Sequence, residues 1–187
     1  QAGRLTSTEL IERLLARIEA YDDKLHAFIA VYAEEARMAA AAADQAIRSG
    51  HAVGPFHGVP VALKDIIDME GRITTGGSKA WADRVSPVTA TLARRLIAAG
   101  MIVIGKTHTV EFAMGGWGTN THMGTPWNPW DLEVPRTPGG SSAGSGVSVA
   151  AGRPPGGRGP PTRRADGVAA AGGGGAGQNT PHGRVST

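Results

Sequence analysis

Apolar residues at helical spacing open the chain. Leu10, Ile11, Leu14, Leu15 and Ile18 recur every three or four positions, the stripe of an amphipathic helix. Thr6-Ser7-Thr8-Glu9 lies just ahead of the stripe and has the spelling of a capping box, with Thr6 as N-cap and Glu9 reaching back. Tyr21-Asp22-Asp23 is expected to break this helix. A second, alanine-rich helix is expected from Glu34 to Arg48, with Gly50 as its terminator. The period then changes. Val59, Val61 and Leu63 alternate around Pro60 and Ala62, which predicts a strand ending at Lys64-Asp65. Pro60, which cannot donate a ladder hydrogen bond, belongs at the strand start or at a bulge. Gly71 to Gly77 reads as loop, and after Pro87 a helix carries Leu92, Leu96 and Ile97 and ends at Gly100. Met101-Ile102-Val103-Ile104 is a short β-branched run, read as a buried strand. Strands alternating with helices predict an α/β layer architecture. From Gly115 to Pro138 turn residues dominate, and Trp117, Trp127 and Trp130 are expected to anchor a long, ordered loop.

The pattern fails at Gly152. From Arg153 to Pro181 there is no Leu, Ile, Phe, Met, Trp or Tyr, and Gly172 to Gly175 are four consecutive glycines. Such a stretch buries too little apolar area to offset its ordering entropy. Three segments result: 1–152 as the folded part, 153–181 as an aberrant or disordered Gly/Pro/Arg-rich stretch, and 182–187 beyond it. There are no internal repeats.

Charge sharpens this division. The net charge is +3, but 151–187 holds five arginines against Asp166 alone, whereas 1–150 holds 14 basic and 15 acidic residues. The high pI therefore belongs to the tail, and it is no sign of nucleic-acid binding by the folded part. The chain has no cysteine, which fits a reducing, cytoplasmic setting. It has no membrane-spanning apolar run and no signal peptide. Gln1 stands where an initiator Met is expected, so the natural start is expected to lie upstream. The six histidines are scattered without metal-ligand spacing, and neither metal nor cofactor is implied.

The candidate chemistry lies in Pro138-Gly139-Gly140-Ser141-Ser142-Ala143-Gly144-Ser145-Gly146. No side chain here fills a core. Glycines allow a sharp turn and close backbone approach, and the small residues Val147 to Ala151 that follow suit a helix. The serines are thus expected on a loop opening a helix, whose free N–H groups favour negative charge. A flexible linker is the alternative.

Three motif readings compete. Gly100 to Thr107 spells G-x-x-x-x-G-K-T, but its four middle residues are the best strand candidate in the chain, so their N–H groups are not free to cradle phosphate. Gly140-Ser141-Ser142-Ala143-Gly144 spells G-x-S-x-G, yet the nucleophile elbow needs a strand running into its serine, and Val134 to Pro138 contains two prolines. The third reading pairs Lys64 with Ser141. A lysine at the end of an apolar strand loses solvation, which depresses its pKa and frees a lone pair for base work, and Ser–Lys pairs are a known form of nucleophilic catalysis. The competing reading pairs Lys64 with Asp65 or Asp68 in an ordinary ion pair.

Residues 5 to 152 resemble the amidase signature family, which includes free-standing amidases and the A-type subunits of amidotransferases. The stretches that carry the resemblance are Gly54-Pro55-Phe56-His57-Gly58-Val59-Pro60-Val61-Ala62-Leu63-Lys64-Asp65, Thr74-Thr75-Gly76-Gly77-Ser78 and Ala99 to Thr107. Glu111-Phe112-Ala113-Met114-Gly115, Asn128-Pro129-Trp130-Asp131 and Pro138 to Gly152 complete them. The resemblance implies a mixed β-sheet surrounded by helices, incomplete in this chain, and hydrolysis of carboxamides by a Ser-Ser-Lys triad. Lys64 matches the family's base. Ser141 matches its bridging serine, which adjoins an unusual cis peptide. Met114, Gly115 and Gly140 fall on the substrate-binding side. The nucleophile is expected near Ala165, in a turn whose N–H groups form the oxyanion hole. No serine lies between Ser148 and Ser186, yet His182 to Thr187 again resembles the family. A pattern lost and regained without change of length implies a compensated frameshift, and the family continues for a large second half.

The resemblance implies a small-molecule amide substrate and leaves two settings open: a free-standing amidase, or an A-type component working with amidotransferase partner subunits. A reading from another class takes the tail as an Arg/Gly-rich binder of RNA or other anions through Arg153, Arg158, Arg163 and Arg164. The absence of any aromatic residue in 151–187 argues against stacking on bases.

Overall fold

The computed structural model describes residues 5–152 and the backbone of Ala169–Ala171. Its first element, α1 (Ser7–Leu25), begins on the expected capping box. Glu9 N–H donates to Thr6 Oγ1 at 3.1 Å, and Thr6 N–H donates to Glu9 Oε2 at 2.9 Å. The helix does not break at Tyr21-Asp22-Asp23 but runs to a left-handed cap at His26. Asp22 leaves the helix intact because its carboxylate reaches forward, accepting from the N–H groups of Ala27 and Phe28 at 2.8 and 3.0 Å. The residue expected to end the helix instead secures the start of the strand β1 (Phe28–Val31).

The helix α2 (Ala33–Arg48) follows, ending as expected before Gly50. Its buried Asp44 accepts from Ser7 N–H, Thr8 N–H and Thr8 Oγ1 at 2.6–2.9 Å. A carboxylate at the exposed donors of a helix N-terminus is favourable, and here it locks α2 to the start of α1.

The strand β2 (Pro60–Lys64), the helix α3 (Thr91–Ala98) and the strand β3 (Ile102–Thr107) form a parallel β-α-β unit. The sheet order is β1-β3-β2-β4, with β1 antiparallel to β3 and β4 (Ala169–Ala171) parallel to β2. The architecture is mixed α/β. The α1, α2 and α4 (Ala143–Ala151) helices bury Ile11, Leu14, Ala36, Ala40 and Val147 against Ala62, Ile102 and Ile104. On the opposite face Ala93 and Leu96 of α3 pack on Val61, Leu63 and Val103. Apart from Ala169–Ala171, the expected disorder of 153–181 lies outside the described residues. No helix among the described residues is long and apolar enough to cross a membrane.

One irregularity in the sheet decides which face each lysine occupies. Val61 pairs with Val103, but Ala62 pairs with Gly105, so Ile104 is an extra residue in β3. A bulge of this kind shifts the alternation of side chains by one. Beyond it Leu63 pairs with Lys106 and Lys64 with Thr107. Lys106 therefore falls on the α3 face and Lys64 on the α4 face. Gly105 sits where β1 crosses closely, and a β-carbon there would strike the carbonyl of Ala30.

The Trp expectation is corrected in two of three cases. Trp127 anchors its loop: its N–H donates to Leu25 O at 2.8 Å, its Nε1 to Asp131 O at 2.7 Å, and Lys24 Nζ lies 3.5 Å from its ring centroid. Trp117 and Trp130 are exposed. Asn120 takes the anchoring role expected of them.

His108 follows β3, donating its N–H to Ala27 O at 2.9 Å and accepting at its carbonyl from Gly144 N–H at 3.0 Å. It is buried, and its Nδ1 has no hydrogen-bond partner among the described residues. Burial, with His26 nearby, pushes its imidazole down from 6.5 to about 4. Between those values the unfolded chain binds the extra proton and the folded chain does not, so stability falls as pH drops from 6.5 toward 4. At about 1.4 kcal/mol per unit the loss approaches about 3 kcal/mol. Urea unfolding at pH 7 and pH 4.5 is expected to show this loss, and His108→Gln is expected to remove most of it. An equal loss in the variant would assign the acid lability elsewhere.

Candidate active site

Two lysines end up inside one small sheet, and their surroundings differ. Lys106 is 0% exposed. Its Nζ lies 3.2 Å from Asp65 Oδ1 and donates to Thr74 Oγ1 at 2.9 Å. Asp65 is completed by Thr75, whose N–H and Oγ1 donate to Oδ2 at 3.0 and 2.5 Å. Lys64, 2% exposed, closes β2 on the other face. Its Nζ donates to Ser141 Oγ at 2.7 Å, and among the described residues it has no carboxylate partner. Asp65 is held by Lys106, and Asp68 by Arg84 at 2.9 and 3.0 Å. The ion-pair reading of Lys64 with Asp65 or Asp68 is thereby overturned. Burial lowers the Lys64 pKa below the ordinary lysine value, the direction that makes a lysine a proton acceptor.

Ser141 stands in the turn that leads into α4. No strand enters this turn, which rules out a nucleophile elbow. The Gly140–Ser141 peptide is cis. The carbonyl of Ser141 is held from β3's continuation: Val110 N–H donates to it at 3.1 Å and Thr109 Oγ1 at 3.0 Å. One turn into α4, Ser145 Oγ lies 2.7 Å from Thr107 Oγ1. Thus Lys64 meets Ser141 while Thr107, its partner across the ladder, meets Ser145. Helix α4 can approach this closely because Gly144 has no side chain; a β-carbon would collide with Ala27 O and His108 N. Ser142 Oγ is buried and has no partner among the described residues.

The segment after β3 builds one wall beside the turn. Phe112 and Ala113 have φ of 49° and 57°, unusual for residues with side chains. Phe112 N–H donates to Gly76 O at 2.7 Å, and its ring meets Trp81 edge-on at 4.9 Å. A β-carbon on Gly140 would lie 2.8 Å from Gly118 N and 3.1 Å from Gly115 O, so Gly115 and Gly140 are brought together. Met114 is 82% exposed and follows directly in this wall. The structure thus assembles Lys64, Ser141, Gly140 and Gly115, with Met114 projecting outward beside them. The letters of the phosphate-loop motif are absorbed otherwise: Gly105 and Lys106 are strand residues paired with β2. Thr109, Asn120 and the Lys106–Asp65 pair are absent from the sequence-based site, because no local spacing links residues 32 to 43 positions apart.

The family described as Amidase matches residues 9–162. The chain is similar to the A component of the glutamyl-tRNA(Gln) amidotransferase of Anaeromyxobacter dehalogenans, 49% identical over 152 residues, covering 81% of this chain and 30% of that protein. The corresponding protein of Halorhodospira halophila is 44% identical over 185 residues, covering 99% of this chain and 38% of that one. Among solved structures, the peptide amidase of Stenotrophomonas maltophilia superposes with a TM-score of 0.70 at 37% identity, covering 79% of this chain and 31% of its own. A chain from a vestigial complex tied to the origins of an s-triazine catabolic enzyme gives 0.76 at 39%, covering 81% and 33%. The chain spans about a third of the length of the curated relatives it matches.

The two lysines make opposite demands on stability. Removing one member of a buried pair strands the other charge and costs about 3–5 kcal/mol, whereas a buried ammonium without a counter-charge is itself costly, so an apolar group in its place removes that cost. Lys106→Met is therefore expected to lower the urea midpoint sharply, and Lys64→Met to hold or raise it. Equal destabilisation by both would mean that Lys64 has a counter-charge.

Proposed function

The chain belongs to the amidase family, and from that premise we propose that it is part of a hydrolase of carboxamide C–N bonds, with Lys64 as general base and Ser141 as proton relay. The observation that carries the reading is the 2.7 Å contact between Lys64 Nζ and Ser141 Oγ, made by a lysine that is buried and has no carboxylate partner among the described residues. Neutral Lys64 accepts the hydroxyl proton of Ser141, and Ser141 in turn accepts the proton of a second serine as that serine attacks the amide carbon. The C–N bond breaks as the proton returns to the departing nitrogen, leaving an acyl-serine that water hydrolyses. Gly140, Gly115 and Met114 form the side along which the amide lies. The chemistry requires no cofactor or metal.

The second serine has no counterpart in the chain as written, which lacks serine from 149 to 185. Losing the nucleophile and even one oxyanion donor removes the covalent route and at least about a hundredfold in rate. We read 153–181 as a frame-shifted stretch that replaces this turn. A verified read of the gene is expected to show a shifted frame encoding a glycine-serine turn near position 165; a read that reproduces the present protein without one overturns this.

The reading as an A-type component with amidotransferase partner subunits is favoured by identity. The amidotransferase relatives reach 49%, against 34–39% for the solved structures described above and 6-aminohexanoate cyclic dimer hydrolase. One experiment addresses both settings. Residues 9–152 replace the corresponding part of the Anaeromyxobacter protein, and ammonia release is measured from a panel of carboxamides including glutamine, with and without the partner subunits. The chain as written is expected to be inactive. The chimera is expected to be active, and Lys64→Ala and Ser141→Ala are each expected to lower kcat by about a hundredfold or more. A folded but inactive chimera, or one indifferent to Lys64→Ala, overturns the assignment.

A further inference from the structure

Asn120 is 4% exposed in a segment that forms neither helix nor strand. Its side-chain amide is fully used. Nδ2 donates to Gly77 O at 2.7 Å and to Thr109 O at 3.0 Å, while Oδ1 accepts from the N–H groups of His122 and Met123 at 3.0 and 2.8 Å. Two carbonyls on one side and two N–H groups on the other leave only one orientation of the amide, since a flipped group would set oxygen against oxygen. Three chain segments meet at this side chain: the loop after β2, the continuation of β3, and its own loop.

Two of those segments lead to Ser141. Thr109, whose carbonyl Asn120 holds, shares its Oγ1 proton between Val110 O and Ser141 O, both at 3.0 Å, and Val110 N–H donates to Ser141 O. The loop of Asn120 reaches the same turn through Gly118, where a β-carbon would strike Gly139 O and lie 2.7 Å from Pro138 Cγ. The third segment is packed just as closely: a β-carbon on Gly77 would lie 2.7 Å from Thr109 O and 2.9 Å from Asn120 Nδ2. We infer that Asn120 is a positioning residue for Ser141, clamping Thr109 and the glycine loop against the turn so that the serine hydroxyl stays on Lys64. Asn120 makes no hydrogen bond to Lys64 or Ser141. It acts through Thr109 on one side and Gly118 on the other, so its loss releases the turn from both. The inference rests on the reading of Lys64 and Ser141 as a working pair.

The two buried lysines supply the test. The full chain is acetylated with acetic anhydride across pH 6–11, and the rate at each lysine is read by mass spectrometry. In the parent chain Lys64 is expected to show a midpoint below that of exposed Lys79. If Lys64 labels like Lys79, the base assignment itself fails, independently of Asn120. Asn120→Asp puts a carboxylate oxygen against two carbonyls at nearly unchanged volume. It is expected to raise the Lys64 midpoint by about one unit, the usual scale of environmental perturbation, as the turn opens and water reaches the ammonium. Lys106, held on the opposite face by Asp65 and Thr74, is expected to keep its protection. Thr109→Val removes one of the two donors to Ser141 O without touching the loop, and is expected to move Lys64 in the same direction by less. A Lys64 profile unchanged in both variants overturns the inference. So does simultaneous exposure of Lys64 and Lys106 in Asn120→Asp, which would make Asn120 a residue of the fold alone.

Discussion

A buried ammonium has to be neutralised, paired or deprotonated, and this small sheet contains two of them on neighbouring strands. The bulge at Ile104 is what separates them. Without the extra residue, β3 would continue its alternation and Lys106 would share a face with Ile102 and Ile104, directly above the apolar helices. With it, Lys106 finds Asp65 and Thr74 on one side, and Lys64 finds a serine hydroxyl on the other. One lysine is a structural cation and the other is a candidate base because a single inserted residue changed the parity of the strand.

The serine side is built with the same economy of contacts. Ser141 is not held by a strand or by a helix but by the segment that leaves β3, through Thr109 and Val110. Glycines at 118, 140 and 144 allow three stretches of backbone to approach more closely than any side chain would permit. The left-handed residues Phe112 and Ala113 turn the chain so that the wall of the site starts immediately after these contacts. Geometry of this kind is set by backbone proximity, so it is sensitive to substitutions that look conservative on paper.

Legibility followed the range of the interaction. The capping box of α1, the alanine stripe of α2, Pro60 at the start of β2 and Gly50 after α2 are local effects, and each appears where the pattern puts it. The end of α1 was not legible, because Asp22 serves residues beyond the helix rather than breaking it. The strand β1 was missed altogether. Its four residues carry no alternation, and it exists because β3 offers an antiparallel edge. The strand β3 runs three residues past its apolar stretch. Lys106 and Thr107 are tolerated inside only because Asp65, Thr74 and Ser145 are there to receive them.

The alternation of elements, the glycine-serine turn ahead of a helix, and the long ordered motifs of the family resemblance are all properties of the sequence alone. So is the choice of Lys64 and Ser141 as candidates, though it left open whether the lysine faced the serine or a carboxylate. That choice belonged to the tertiary structure. Asp65 is next to Lys64 in the chain, yet it is taken by Lys106, 41 positions away. Ser141 is 77 positions from Lys64, yet it is in hydrogen-bond contact. Side chains adjacent in a strand point to opposite faces, so the nearest residue in sequence was the wrong partner. The right one depended on a bulge and on glycine contacts that no local pattern records.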